Sequence, residues 1–197
     1  MKSKSHLRVQ ALVEGAISVA LAQLLGYLKL FELPQGGSIS FTMIPLVLSC
    51  VRWGLGPSLL MSFAYAFLQL MLDGGFAISW ESILGDYLVA FTALGLGGAC
   101  WRMKGGFYWG AIVGTLGRFI CNYVTGAVVW AEYMPPEFFG MTMTSPWIYS
   151  ALYNGFYAIA NLAIACVVIF LLQLTGLKKW IGPAYPKAEK AKKEKSC

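Results

Sequence analysis

The chain has 197 residues, of which 58% are hydrophobic and only 12% charged, and its net charge is +6. Soluble domains carry about 25% charged residues, so this composition, with a mean hydropathy of +0.64, excludes an ordinary soluble protein. The length has room for about six spans of ~20 residues each. We predict an all-α integral membrane protein of six transmembrane helices, with a single membrane domain over residues 1–177 and a basic tail over 178–197.

The first predicted span covers about residues 9–30 and contains Glu14 about one turn inside the membrane. Ala16 and Ala20 are four residues apart and therefore share a helix face. Small residues at this spacing allow two helices to approach closely. This face either packs within the protein or docks a membrane partner.

The loop over residues 31–41 contains Pro34 and two glycines that break helix, and its stretch 38–41 alternates like a short extended segment. We expect this loop to lie over a cavity as a lid. The second span, about 42–53, has only twelve residues. Because a hydrocarbon core of ~30 Å needs about 20 residues of helix, this span is expected to be tilted or partly re-entrant.

Polar side chains at membrane depth are the main functional signal of the next two spans. The fourth span, about 81–100, carries Asp86 and Tyr87 near its outer end. A charged side chain at a helix centre costs about 2.5–3.5 kcal/mol, so it usually faces a cavity or a partner. Asp86 either meets a cationic ligand, or pairs with Arg118, or caps its helix. The third span, about 58–72, has two polar side chains on one face, Tyr65 and Gln69.

The fifth span, about 106–130, places Arg118 and Asn122 on one face, with Trp130 eight residues further on. Arg118 is expected to be structural, paired with a helix carbonyl or with Glu14. Asn122 needs hydrogen-bond partners from a ligand or another helix. Trp130 is either an interfacial tryptophan or a wall that stacks on an aromatic cation, an attraction worth about 0.5–2 kcal/mol.

The sixth span, about 147–174, carries a polar stripe formed by Asn154, Tyr157 and Asn161, which follow a helical spacing of three and four residues. Tyr149 lies near the membrane boundary, where tyrosine belts are common. Asn154 is deeper, and its amide requires either another helix or a ligand as its partner. The sequence therefore leaves both roles open for this stripe.

Charge is distributed unevenly between the two sides of the predicted bundle. Basic residues follow alternate spans, and the positive-inside rule makes that side, and both termini, cytoplasmic. The lysine-rich tail is expected to lie in solvent near anionic lipid, and a nucleic-acid partner is disfavoured. The basic positions on the predicted cytoplasmic side are Lys2, Lys4, Arg8, Arg52, Arg102, Lys104, Lys178, Lys179, Lys187, Lys190, Lys192, Lys193 and Lys195.

The chain offers little for catalysis or metal binding. Its five cysteines include no CxxC pair, and its one histidine, His6, lies in the basic N-terminal segment. No GxxxxGK[ST] phosphate-binding loop occurs, so any ATP hydrolysis requires partner subunits. We therefore predict no cofactor, no metal and no catalysis by this chain.

Several segments, taken together in their order and spacing, resemble one known family. This family is the thiamine-specific substrate-binding (S) component of energy-coupling factor (ECF) transporters, the ThiT family, and the resemblance covers about residues 8–175. No single segment decides it. The segments are VEGAISVALA (13–22), QGGSISFTMIPL (35–46), GDYLVAF (85–91), RFICNYVTGAVVWAEYMP (118–135) and SPWIYSALYNG (145–155).

The resemblance implies a protein of the bacterial cell membrane that binds thiamine in an outward-side pocket under the first outer loop. It also implies docking on a membrane-embedded, EcfT-type coupling subunit that works with two ATPase subunits. Ala16 and Ala20 match the family's contact with that subunit. Asn122 stands where the family has His, a departure that bears on affinity or ligand choice. The implied thiamine-binding residues are Asp86, Tyr87, Asn122, Trp130, Tyr149, Asn154 and Tyr65.

Three alternatives stay open at this stage. An S component for another vitamin or a thiamine precursor would keep the same fold and change only the ligand. A membrane enzyme of lipid or isoprenoid metabolism would require clustered Asp or His motifs on the cytoplasmic side, and the sequence has no such cluster. A purely structural membrane protein would use the polar residues to tie helices together, so mutation of Asp86 would lower stability and not ligand binding.

Overall fold

The protein is described here from a computed structural model that covers residues 4–73, 78–175 and 182–184. Its described part consists of six helices, a short 3₁₀ turn at Ala131–Tyr133 and two short β-hairpins. We label α4 as the continuous helical segment Trp80–Cys100, which includes irregular turns. In chain order the elements are α1 (Lys4–Gly26), β1 (Lys29–Glu32), β2 (Ser38–Ser40), α2 (Met43–Trp53), α3 (Leu55–Asp73), α4 (Trp80–Cys100), α5 (Gly106–Val128), β3 (Glu137–Phe138), β4 (Met141–Thr142) and α6 (Pro146–Leu174).

Five of the described helices, α1, α3, α4, α5 and α6, are long and apolar enough to cross a membrane. The remaining helix, α2, has 11 residues, which at ~1.5 Å per residue reach only about half of a ~30 Å hydrocarbon core. The protein is therefore a helical membrane protein with five candidate spans, and the count of six spans is not confirmed. The orientation of the termini stays a prediction, and the predicted tail 178–197 lies outside the described residues except for 182–184.

The short helix α2 is buried in the centre of the bundle. Nine of its 11 residues are buried, and it contacts α1, α3, α4, α5 and α6. Its sequence, MIPLVLSCVRW, is apolar except at Ser49 and Arg52, as expected of a helix that is enclosed on most sides. Trp53 closes its end and is only 2% exposed.

Helices α4 and α5 touch through their backbones because glycines occupy the contact. A Cβ added to Gly97 would lie 2.4 Å from the carbonyl oxygen of Gly110, and one added to Gly114 would lie 2.6 Å from that of Leu94. No side chain fits at either glycine, so the two backbones meet directly. This contact fixes the relative position of the two helices that carry Asp86 and Asn122.

Helix α4 departs from regular α-helical geometry where Asp86 lies. The Ser79 side chain accepts a hydrogen bond from the Ser82 backbone N–H and so caps the helix start. Residues Ile83–Val89 then form a π-helical segment, an irregularity that is frequent at functional sites. The interpretation of Asp86 as a helix cap is therefore wrong, because Ser79 has that role and Asp86 lies inside the helix.

The first loop is a β-hairpin that begins earlier than the sequence indicates. Helix α1 ends at Gly26, whereas the predicted span continued to about residue 30. Residues Lys29–Glu32 instead pair antiparallel with Ser38–Ser40. The apolar residues of 27–31 gave no sign of this, because the pairing depends on the strand Ser38–Ser40, which begins six residues after Glu32. The predicted extended segment after Gly37 is confirmed by β2.

The Glu14 carboxylate joins α1 to α2. Its Oε1 accepts a hydrogen bond from Arg52 Nη2 at 3.1 Å, and its Oε2 accepts one from Trp53 Nε1 at 2.9 Å. The expectation that Arg118 pairs with Glu14 is therefore wrong, since Arg52 on the neighbouring helix takes that place. On the opposite side of α1, Ala16 and Ala20 are exposed.

Candidate functional site

A cavity of about 120 Å³ lies between α4, α5 and α6 at the end of the bundle that holds the β1–β2 hairpin. The loop residues 35–38 line one side of it, and the helices supply the other walls. Six of the seven side chains predicted for the ligand site line this cavity. They are Asp86, Tyr87, Asn122, Trp130, Tyr149 and Asn154.

The acidic group of the cavity is held by a tryptophan. Trp130 Nε1 donates a hydrogen bond to Asp86 Oδ2 at 2.9 Å, across 44 residues of sequence. The indole is packed edge-on against the Tyr133 ring, with the two centroids 5.7 Å apart. Trp130 is therefore a wall of the cavity that also orients the carboxylate, and the interpretation as an interfacial tryptophan is not needed to explain it.

Arg118 lines the same cavity and is held by aromatic rings. Its guanidinium carbon lies 4.1 Å from the centroid of the Phe91 ring and 5.9 Å from that of Tyr157. Within the described residues, no ion pair joins Asp86 to Arg118 at 4.0 Å or less. The structural ion pair considered for Asp86 is therefore not formed. The cavity carries one acidic and one basic side chain, each with its own aromatic support.

Amide and phenol groups connect α5 to α6 along the floor of the cavity. Asn122 Nδ2 donates to the Tyr157 hydroxyl at 2.7 Å, and that hydroxyl donates to Asn154 Oδ1 at 2.7 Å. Asn154 Nδ2 in turn donates to Ser150 Oγ at 3.0 Å. Asn154 therefore makes the interhelical network that was one of its two predicted roles, and it lines the cavity as well.

The first loop is attached to α6 by three successive groups of hydrogen bonds. The Tyr149 hydroxyl donates to Gln35 Oε1 at 2.7 Å, and the Tyr153 hydroxyl accepts from the Gly37 backbone N–H at 2.9 Å. Asn161 donates to the Ser38 carbonyl and accepts from the Ser40 N–H, both at 2.9 Å. The loop over residues 35–40 thus lies closed against α6 and covers the cavity.

Comparison with known proteins decides the family. A family model described as "Thiamine transporter protein (Thia_YuaJ)" matches residues 12–181 of this chain. The chain belongs to the thiamine transporter family. The match covers all six helices except the first residues of α1, so the resemblance drawn from the sequence segments is confirmed.

Two curated members of the thiamine transporter family are similar to the chain over most of their length. Thiamine transporter ThiT of Bacillus subtilis (strain 168) is 31% identical over 195 residues, which are 91% of this chain and 95% of that protein. Thiamine transporter ThiT of Lacticaseibacillus paracasei is 26% identical over 188 residues, 86% of this chain and 89% of that protein. A solved structure of ThiT from Listeria monocytogenes shares the fold with a TM-score of 0.76 at 20% identity, covering 89% of this chain and 99% of that chain.

In this member of the thiamine transporter family, Tyr65 lies behind the cavity rather than in its wall. Its hydroxyl donates to Gln69 Oε1 at 3.1 Å, and its ring packs edge-on against Phe91 with the centroids 5.2 Å apart. Both of these neighbours line the cavity, whereas Tyr65 is only 1% exposed and does not. Tyr65 can therefore act on a ligand only through the side chains in front of it.

Several lining residues were not predicted as ligand contacts. Tyr153 follows Tyr149 at a four-residue interval, which places both on one face of α6 and was the sequence signal for Tyr153. Tyr157 belongs to the polar stripe with Asn154 and Asn161, for which a ligand role was left open. Gly126 had no such signal, although a Cβ there would lie 2.4 Å from Ser150 Oγ. The other lining residues outside the predicted set are Gln35, Gly36, Gly37, Ser38, Gln69, Phe91, Arg118 and Ser150.

Proposed function

We propose that this protein binds thiamine in the cavity between α4, α5 and α6, as the S component of an ECF-type vitamin importer. The observation that carries this proposal is the carboxylate of Asp86, which is held by Trp130 inside an aromatic cavity that the first loop covers. Family membership supports it independently, because the curated relatives are thiamine transporters. The protein itself performs no catalysis in this proposal.

The chemistry of the cavity suits the two rings of thiamine. A positively charged thiazolium is attracted to the Asp86 carboxylate and to the face of the Trp130 indole. A flat aminopyrimidine offers ring nitrogens and an amino group, which the amides of Asn122 and Asn154 and the hydroxyl of Tyr149 can address. Enclosure by the loop removes water, which strengthens each of these contacts.

The transport step requires partners that this chain does not contain. We place the coupling-subunit contact on the exposed face of α1 formed by Ala16 and Ala20, where small side chains allow close approach of another helix. A membrane-embedded, EcfT-type coupling subunit docks there, and two ATPase subunits hydrolyse ATP on the cytoplasmic side. The bacterial cell membrane is the location that follows.

The first test is a titration of detergent-purified, ligand-free protein with thiamine, followed by tryptophan fluorescence. Trp130 is one of seven tryptophans and lies in the wall of the cavity, so a stacked ligand is expected to quench part of the emission. Saturable quenching at submicromolar thiamine supports the proposal. A folded, ligand-free protein that shows no response to thiamine contradicts it.

A pair of glycine variants tests whether the ligand occupies this cavity. In Gly126→Ala the new methyl group would lie 2.4 Å from Ser150 Oγ and 3.0 Å from Asn154 Nδ2, so we expect weaker thiamine binding. Gly155→Ala is the matched control on α6, because its methyl group would contact only Phe119, at 3.8 Å. Equal affinities in the two folded variants would contradict the placement of the ligand.

The second candidate is an S component for another vitamin or for a thiamine precursor. Asn122 favours it, because the resemblance implies a histidine at this position and Asn cannot become cationic. The same fluorescence titration, repeated with a panel of vitamins and thiamine precursors, separates the two candidates. Tighter binding of any other ligand than of thiamine would favour the second.

A further inference from the structure

A second, smaller cavity adjoins the ligand cavity. It measures about 10 Å³, and the two cavities share Arg118, Asn122 and Tyr157 in their walls. Thr115, Arg118 and Asn122 all line the smaller cavity from α5. Because they are spaced three and four residues apart, they project from a single face of that helix.

Each of these three side chains carries a buried polar atom that has no hydrogen-bond partner among the described residues. The atoms are Thr115 Oγ1, Arg118 Nε and Asn122 Oδ1. Thr115 is 6% exposed and Asn122 is 5% exposed, so neither side chain can reach bulk solvent. Buried polar groups in native proteins are nearly always paired, so three orphaned atoms in one cavity require an explanation.

The other polar side chains around this cavity are already hydrogen-bonded to other groups. The Tyr157 hydroxyl accepts from Asn122 Nδ2 and donates to Asn154 Oδ1. Asn161 uses its oxygen for the Ser40 N–H and its amino group for the carbonyls of Ser38 and Tyr157. The remaining walls are Met43, Phe119 and Ala158, which offer no hydrogen bonds. As the described residues are arranged, no other side chain that lines this cavity pairs with the three orphaned atoms.

We propose that this cavity is a hydration site that binds water between Thr115, Arg118 and Asn122. The volume is about what one water molecule needs. The hydrogen bonds balance, since the Arg118 Nε–H and the Thr115 hydroxyl donate to the water and the water donates to Asn122 Oδ1. Buried waters typically make about three such bonds.

The bound water gives Thr115 and Arg118 a role in the ligand site. With Asn122 Oδ1 held by the water and Nδ2 held by Tyr157, the amide of Asn122 has one orientation and presents a fixed pattern of donors to the ligand cavity. Thr115 does not line that cavity, so it acts as a positioning residue through the water. This consequence rests on the proposed function, whereas the hydration site itself does not.

A crystal structure at a resolution that shows ordered waters tests the site directly and independently of any ligand. We expect density for a water within hydrogen-bond distance of Asn122 Oδ1 and of Thr115 Oγ1 or Arg118 Nε. An empty cavity, or a cavity filled by a rearranged side chain, overturns the proposal. A protein that fails to bind thiamine would contradict the proposed function without changing this readout.

A pair of variants tests the positioning role in solution. Thr115→Val keeps the shape of the side chain and removes the hydroxyl, and we expect thiamine affinity to fall by about threefold to tenfold, the effect of one hydrogen bond. Thr115→Ser keeps the hydroxyl and is expected to bind within about twofold of the original chain. Each variant is first checked for folding by size-exclusion chromatography and by its melting temperature.

The comparison between the two variants decides the positioning role. Equal affinity of Thr115→Val and the original chain overturns it, and so does a loss of affinity that Thr115→Ser shares. If Thr115→Val does not fold, Thr115→Ser is compared with Thr115→Ala, and a serine variant no better than the alanine variant overturns the role.

Discussion

At the scale of single residues, the carboxylate of Asp86 distinguishes this cavity from the rest of the membrane-embedded surface. It lines the cavity, and its described hydrogen bond comes from the neutral indole of Trp130 rather than from a cationic side chain. A neutral donor orients a carboxylate without neutralising its charge. Its negative charge is therefore available to a cationic ligand, in contrast to Glu14, which already pairs with Arg52.

Replacement of Asp86 by asparagine tests this charge. Asp86→Asn keeps the size of the side chain and an oxygen that accepts from Trp130, but it removes the negative charge. We expect thiamine affinity in the fluorescence titration to fall by more than about tenfold, because hydrogen bonds and contacts to charged groups are worth roughly twice those to neutral ones.

The control for this variant is Glu81→Gln, which makes the same carboxylate-to-amide change at an exposed position near the start of the same helix. It is expected to bind thiamine like the original chain. An unchanged affinity in a folded Asp86→Asn protein would show that the carboxylate has no role in binding.

Sequence reasoning found the polar and aromatic residues of the site because such groups are expensive in a membrane. Asp86, Asn122 and Asn154 stood out for that reason and all line the cavity. It failed for groups whose role depends on a neighbouring helix. Gly126 has no chemistry of its own. The pairing of Arg118 with Glu14, one of its two predicted partners, was wrong because the distance between helices is not written in the sequence.

At the scale of elements, the attachment of the first loop to α6 governs access to the cavity. The hydrogen-bonded contacts that attach the loop differ in depth. They run from the Tyr149–Gln35 contact at the start of α6 to the Asn161 contacts three turns further along the helix. Asn161 is 4% exposed, so its bonds to the loop are shielded from water. We expect the Tyr149 and Tyr153 contacts to break first when the loop opens, because each tyrosine makes one of these hydrogen bonds to the loop whereas Asn161 makes two.

Removal of one hydrogen bond between α6 and the loop is expected to loosen the loop. Tyr153→Phe leaves the ring in place and removes the hydroxyl that accepts from the Gly37 N–H, so this backbone group loses its partner. We expect faster hydrogen–deuterium exchange of residues 33–41 in the ligand-free protein and faster thiamine dissociation in stopped-flow measurements, by about threefold to tenfold.

Tyr123→Phe serves as the matched control. Tyr123 lies on the side of α5 that stacks with Phe119 and Trp147, away from the cavity. Its variant should leave both rates unchanged. If loop exchange in Tyr153→Phe equals that of the control, the Tyr153 hydroxyl does not hold the loop.

The elements themselves were predictable to different degrees. The later helices were placed to within a few residues because their apolar runs are long and bounded by Gly and Pro. The end of α1 was misplaced, since Lys29–Glu32 leave the helix to pair with a distant strand. The π-helical turns at Ile83–Val89 had no sequence signal and were not predicted.

At the scale of the whole molecule, the ligand cavity and the proposed docking face are separate. Glu14, Arg52 and Trp53 hold one side of α1 against α2, and this fixes the rotation of α1 about its axis. Ala16 and Ala20 consequently face outward. Among the described residues no neighbouring element covers them, which favours a partner over packing within the protein as the reason for their small size.

A bulky residue on this face is expected to block coupling without affecting ligand capture. Ala16→Trp or Ala20→Trp should bind thiamine like the original chain but reduce its uptake in cells that also carry the coupling and ATPase subunits, because a second helix can no longer approach. Uptake of labelled thiamine and the fluorescence titration are measured on the same variants.

Ile159→Trp is the control, since Ile159 is 70% exposed on α6 and far from the α1 face. It should retain both binding and uptake. Loss of thiamine binding in the alanine variants would show that this face supports the fold rather than a partner.

The glycine contact between α4 and α5 affects how the ligand enters the cavity. Because Gly97 lies against Gly110 with no layer of side chains between the two backbones, we expect these helices to move together as one wall. We therefore expect the gate to be the loop alone, hinged at its deep anchor on Asn161, while the wall that carries Asp86 and Asn122 keeps its shape between empty and loaded forms. The ligand is then recognised before the loop closes. Closure slows release of the ligand and does not change which ligands bind.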